Sequence, residues 1–146
     1  MNIHEDEYWM KEAIKEAFMA MEEDEVPIGA VVVCGGRVIA RAHNRTEMLH
    51  DVTAHAEMQA FTAAADYIGG KFLRDCTLYV TLEPCPMCAG AAYWTQLGRL
   101  VYGAEDVKHC QTDRRALYHP GTRVEGGVCA LECGRLLQSF FERKRI

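Results

Sequence analysis

Two short stretches of this sequence hold side chains of the types that ligate metal ions and move protons. One is Thr53-Ala54-His55-Ala56-Glu57, the other Pro84-Cys85-Pro86-Met87-Cys88. Both read as the first turn of a helix. Cys85 and Cys88 are three positions apart, about 300° of helical rotation, which puts both sulfurs on one face and within reach of one tetrahedral ion. An imidazole and two thiolates suit zinc, and a helix N-terminus favours the thiolate form that metal binding requires. A structural zinc site is closed by four protein ligands, whereas a catalytic one keeps three and leaves a corner for water. Here three donors stand out. Glu57 follows His55 by two positions, about 200° around a regular helix, so it is not expected as a further ligand on that face, but in a first turn it can lean over the open side of the metal. Two thiolates already neutralise Zn²⁺, so the ion acidifies water less than a three-histidine site does. A separate carboxylate that accepts the proton then becomes useful. Read without its neighbours, Glu57 would be a first-turn glutamate favoured by the helix dipole.

The remaining cysteines of the seven are Cys34, Cys76, Cys110, Cys129 and Cys133. None forms a second short-spaced pair behind a proline turn. Cys34 and Cys76 fall in predicted strands and read as core. Cys129 and Cys133 read as small buried residues of the last helix, and Cys110 as a loop thiol beside His109, with a ligand role left open. The odd count and the absence of an export signal favour thiols and metal ligands over disulfides.

The elements that must position these groups follow from periodicity. Residues 5–24 carry Met10, Ile14, Ala17, Phe18 and Met21 as an apolar stripe opposite an acidic face, which predicts a packing helix. Ile28 to Cys34, the Gly35-Gly36 pair and Arg37 to Arg41 predict a β-hairpin. A polar loop over 44–53 leads to a helix over 54–66, capped by Thr53 and ended before Gly69-Gly70. Cys76 to Leu82 predicts a strand. Proline then excludes its continuation but suits the first turn of a helix running to Gln96. Arg99 to Ala104 reads as a strand, 105–120 as a polar loop, and 128–145 as an amphipathic helix with Leu131, Leu136, Leu137, Phe140 and Phe141. Strands alternating with helices imply an α/β sheet in two or three layers.

At 146 residues, with 49% hydrophobic and 25% charged side chains, the chain is expected to form a single domain over 1–146, and collagen-like, coiled-coil or disordered classes are excluded. No apolar run reaches membrane-spanning length, and the first residues are acidic where a secretory signal is basic, so a cytoplasmic protein is expected. The net charge of −5 argues against non-specific nucleic-acid binding. Its distribution is uneven, at −7 over residues 1–25, −2 over 26–113 and +4 over 114–146. The C-terminal surplus, with Arg135, Arg143, Lys144 and Arg145, reads either as a local phosphate contact or as cations complementing a helix dipole.

The His55-x-Glu57 and Pro84-Cys85-x-x-Cys88 pair resembles the signature of the zinc-dependent cytidine and nucleobase deaminases. Within that superfamily the chain is most similar to the bacterial tRNA adenosine deaminases, over nearly its whole length. The similarity rests on 25–31 (Glu-Val-Pro-Ile-Gly-Ala-Val), Asn44-Arg45, 53–57, 78–91, Tyr118-His119-Pro120-Gly121, and Phe140-Phe141 with the basic end. The resemblance implies a three-layer α/β/α fold with a mixed five-stranded sheet covered by helices. It implies one Zn²⁺ per subunit on His55, Cys85 and Cys88, with Glu57 passing protons from the bound water to the ring nitrogen and then to the departing amine. It further implies a base contact from Asn44, a pocket wall at Ile28, and backbone groups near Ala56 and Glu83 that hold the base and the water. Phe141, Arg143, Lys144 and Arg145 would meet RNA in a homodimer. The chain departs from the family at His109-Cys110-Gln111-Thr112-Asp113-Arg114-Arg115, where a Gly/Ala/Ser-rich turn near the nucleic-acid face is usual.

The leading expectation is deamination of the wobble adenosine in a tRNA anticodon stem-loop, whose unpaired base is cheap to flip out. The rival is a deaminase of a free base or nucleoside such as guanine, cytosine or adenosine, favoured by the altered loop and the acidic charge. The remote alternative is a zinc-stabilised module without catalysis, which needs a fourth protein ligand.

Overall fold

The β-branched run Val31-Val32-Val33 makes β1 (Gly29–Cys34), and Gly35 and Gly36, both at positive φ (61° and 77°), turn it back into β2 (Arg37–His43). Two left-handed residues in a row match the twist of the flanking strands, as the tightest hairpin turns require. The computed structural model describes residues 3–107 and 114–144. In it β3 (Thr77–Leu82) lies antiparallel to β1, while β4 (Arg99–Ala104) runs parallel to β3 and β5 (Arg123–Glu125) parallel to β4. The sheet order is β2-β1-β3-β4-β5. A sheet with both pairing modes has one edge where the carboxyl ends of its parallel strands open together, which is where α/β folds bind ligands.

Four helices complete three layers. The face of the sheet that carries Ala30, Val32, Leu78, Val80 and Leu100 packs against α2 (Ala56–Ile68) and α3 (Pro86–Thr95) through Ala60, Phe61, Ala64, Ala89 and Ala92. The opposite face, with Val31, Val33, Tyr79 and Val101, is covered by α1 (Ile3–Glu22) and α4 (Ala130–Lys144). The three-layer α/β/α architecture and the mixed five-stranded sheet are therefore as expected. No described helix is long and apolar enough to cross a membrane.

Several local expectations are corrected. β5 falls in the stretch read as unstructured between the polar loop and the last helix, and a 3-10 turn (Arg114–Leu117) precedes it. Helix α2 starts at Ala56 rather than Ala54, and its N-cap is His55, not Thr53. The Thr53 hydroxyl and amide are both donated to Asp51 Oδ1, at 2.7 and 2.8 Å, so the threonine closes a local turn instead of capping the helix. Phe18, expected on the packed stripe of α1, is half exposed, and Ala13 and Ala20 are buried with Met10, Ile14 and Ala17. Small residues let α1 lie close on β1.

Candidate active site

The open edge of the sheet receives the N-termini of α2 and α3, and these carry the metal-ligand candidates. His55 stands at the N-cap of α2 in extended backbone, its amide bonded to Thr53 O at 2.8 Å. Cys85 holds the equivalent position on α3, followed by Pro86, whose fixed φ and missing amide suit a helix start. The Cys85 carbonyl takes the Ala89 amide at 2.9 Å, and Cys88 lies one turn in, fully buried. His55 Nδ1 sits 3.6 Å from Cys85 Sγ and 3.4 Å from Cys88 Sγ, and the three donor atoms all fall within 4.8 Å of one another. These are the only residues among those described that gather as three metal-ligating groups. One nitrogen and two sulfurs form a donor set suited to zinc and leave a fourth corner unprovided by the described residues.

The protons on these groups are strongly displaced. Hydrogen bonds from Cys88 and His55 pull the Cys85 thiol down to about 3, while donating to Cys85 and being buried push Cys88 up. The Cys85 sulfur raises His55. Binding a metal ion to this trio therefore displaces protons from His55 and Cys88. Glu57 is 4% exposed, and burial pushes its carboxyl up to about 7.

His55, Glu57 and Cys85 line a cleft of about 450 Å³ together with Ile28, Glu83, Asp106 and Val107, and α4 closes it with Leu137, Gln138 and Phe141. Ile28, expected as a pocket wall, and Phe141, expected as an RNA contact, are both among the residues that line this cleft. Ala56 is buried as the first residue of α2. Asn44 is 5% exposed and tied to Ile28 by its backbone amide at 3.0 Å, and its side-chain Oδ1 has no partner among the described residues. A buried carbonyl oxygen without a donor costs free energy, which singles Asn44 out among the buried polar residues. Glu83 gives its amide to Ala104 O at 2.8 Å, and its carboxylate accepts the Asp106 amide at 3.1 Å.

The basic end is only partly described. Arg143 is exposed, Lys144 pairs with Asp24 at 2.6 Å, and Arg145 lies outside the described residues, as does the 109–113 part of the divergent loop. Sequence reasoning passed over Asp106 and Arg114. The first could have been found from its place just past β4, beside β3, which Glu83 follows. The second carried no local signal.

Comparison with known proteins shows the family. A "tRNA-specific adenosine deaminase" of Bacillus subtilis (strain 168) is 46% identical over 97% of this chain and 91% of its own length. A solved structure from work on A-to-I editing by tRNA:A34 deaminases at the wobble position is 42% identical, with a TM-score of 0.79 over 89% of this chain and 99% of that one. The structure of a Bacillus subtilis guanine deaminase is 37% identical, with a TM-score of 0.67 over 72% of this chain and 68% of that one. The model of the MafB19-like deaminases matches residues 4–145, and the chain belongs to that family.

Proposed function

We propose that this chain is a zinc-dependent hydrolytic deaminase that converts the wobble adenosine of a tRNA anticodon to inosine with release of ammonia. The observation that carries the reading is the His55, Cys85 and Cys88 trio opening on an apolar cleft beside a buried Glu57. The relatives named as tRNA adenosine deaminases, at 46% and 42% identity, support the substrate. When bound by His55, Cys85 and Cys88, zinc supplies the Lewis acidity that makes water a nucleophile at neutral pH. Glu57 takes one proton of the attacking water and gives it to the adenine ring nitrogen next to C6, then takes the proton of the hydroxyl now on C6 and gives it to the departing amine, which leaves as ammonia while C6 keeps the oxygen as a carbonyl. A carboxyl group near 7 suits both directions of transfer. Ile28 and Phe141 hold the flipped base between apolar surfaces, and Asn44 fixes its orientation. Arg143 and Arg145 meet the phosphates flanking it.

The protein would work as a single domain over 1–146, in the cytoplasm with its tRNA. Assembly as a homodimer is supported by large apolar side chains left in water, above all Val52 and Trp94. The likeness to guanine deaminase favours a second reading, turnover of a free base by the same centre. Ammonia release decides between them. The expected result is turnover of an anticodon stem-loop carrying adenosine at the wobble position, with inosine detected by mass spectrometry, and none of guanine, cytosine or adenosine. Turnover of guanine without any stem-loop product would reverse the assignment.

A further inference from the structure

Arg114 is 4% exposed, although it opens the short 3-10 turn between β4 and β5. Its guanidinium reaches three places at once. Nη1 donates to the Pro84 carbonyl at 3.0 Å, Nη2 donates to Asp106 Oδ2 at 3.0 Å, and Nη1 lies 3.8 Å from Glu83 Oε1. Glu83 and Asp106 are joined to each other by the Asp106 amide. Pro84 is the residue immediately before Cys85, so the peptide that Arg114 grips is the one that leads into a zinc ligand. The other side of the grip is the chain leaving β4. Glu83, Cys85 and Asp106 all line the cleft.

We infer that Arg114 is a positioning residue that locks the zinc-bearing turn after β3 to the cleft wall after β4, and so holds Cys85 in its ligating place. Taking a guanidinium out of water is costly, and an apolar side chain of similar size would fill the space at less expense unless the charge has work to do. The cost is visible, because Nε has no partner among the described residues. A planar fork is the group suited to the task, since it can bond a carbonyl and a carboxylate simultaneously in fixed directions, which an ammonium cannot do. Its action on the metal is indirect. Partners that orient ligands typically change metal affinity or activity by about 10- to 100-fold when removed.

This inference rests on the zinc reading of His55, Cys85 and Cys88, and its test reads zinc itself. Zinc affinity is measured by competition with a chromogenic chelator for the parent protein, Arg114→Met, Arg114→Lys and Asp106→Asn. The expected result is about a 10- to 100-fold loss for Arg114→Met, with a smaller loss for Asp106→Asn, which removes one arm of the grip. Arg114→Lys keeps the charge and loses the fork, so it is expected to remain weakened. If Arg114→Met does not fold, the other two variants carry the test. Parent-like zinc affinity in folded variants whose metal-free melting temperature has fallen would show a role in packing alone and overturn the inference. A parent protein that takes up no zinc would overturn both the inference and the reading beneath it, whereas zinc uptake without deamination would overturn only the proposed reaction.

Discussion

A carboxyl group that titrates near neutrality can accept and return a proton within one turnover, and burial is what brings Glu57 there. Glutamine at the same place keeps the size and hydrogen-bonding shape of the side chain but cannot carry a proton. Glu57→Gln is therefore expected to lower kcat by ~10² to 10⁴ or more, the range general acid/base catalysis supplies, while zinc content stays at the parent level. Single-turnover inosine formation beside metal analysis measures both, and full activity in the variant would remove Glu57 from the chemistry. At this scale the site was legible wherever the signal was local. His55, Glu57, Cys85 and Cys88 sit in two runs of five residues, and ligand chemistry restricts what such runs can mean. Arg114 was not legible, because Pro84 and Asp106 lie 30 and 8 positions away from it and meet it only after β3 and β4 have paired.

Elements depend on how closely their backbones approach, and Gly29 marks a place where α1 lies directly on the backbone of β1. A Cβ there would collide with the Ala13 carbonyl and the Ala17 amide of α1. Both are main-chain atoms, so no rotamer change relieves the contact, and either α1 or β1 must shift. Gly29→Ala is expected to destabilise the protein by about 3 kcal/mol, the upper end for overpacking, or roughly 6 to 12 °C in Tm for a domain of this size. Thermal unfolding followed by circular dichroism checks it, and an unchanged Tm would mean that α1 rides on β1 more loosely than its small residues imply. β1, β3 and β4 were legible as short apolar, β-branched runs buried on both faces and bounded by turn residues, α1 and α4 by their apolar stripes, and α3 by the proline at its start. β5 has three residues in an exposed-intermediate-exposed pattern, too short to show alternation, and only its pairing with β4 makes it a strand. The start of α2 was misplaced by two residues because Asp51 competes for the Thr53 hydroxyl, and nothing in the spacing reveals which acceptor wins.

Across the whole molecule, one charge network ties the first helix to the β4–β5 edge of the sheet it covers. Asp6 of α1 takes both arms of Arg99 on β4, at 2.8 and 2.7 Å, and the Tyr79 hydroxyl of β3 at 2.8 Å, while Arg99 also reaches Glu125 on β5 at 2.9 Å. Asp6 and Arg99 are each 3% exposed. Removing one partner of a buried pair leaves the other charge uncompensated, and Asp6→Asn is expected to cost about 3 kcal/mol at neutral pH. The pH dependence follows from the Arg99 fork, helped by Tyr79, which holds the Asp6 carboxyl below its ordinary 3.8. A carboxylate whose folded pKa is depressed stabilises the fold fully above the unfolded value, because only there is it ionised in both states. Below about 4 the unfolded chain takes up the proton first, and the contribution drains away until the folded carboxyl is protonated as well. The difference in unfolding free energy between the parent protein and Asp6→Asn, from urea titrations at a series of pH values, is therefore expected to stay level from pH 7 to about 5 and to shrink steadily below 4. A difference that stays constant down to pH 2 would show that the Asp6 carboxyl draws nothing from Arg99, and that α1 is held on the sheet by its apolar face alone.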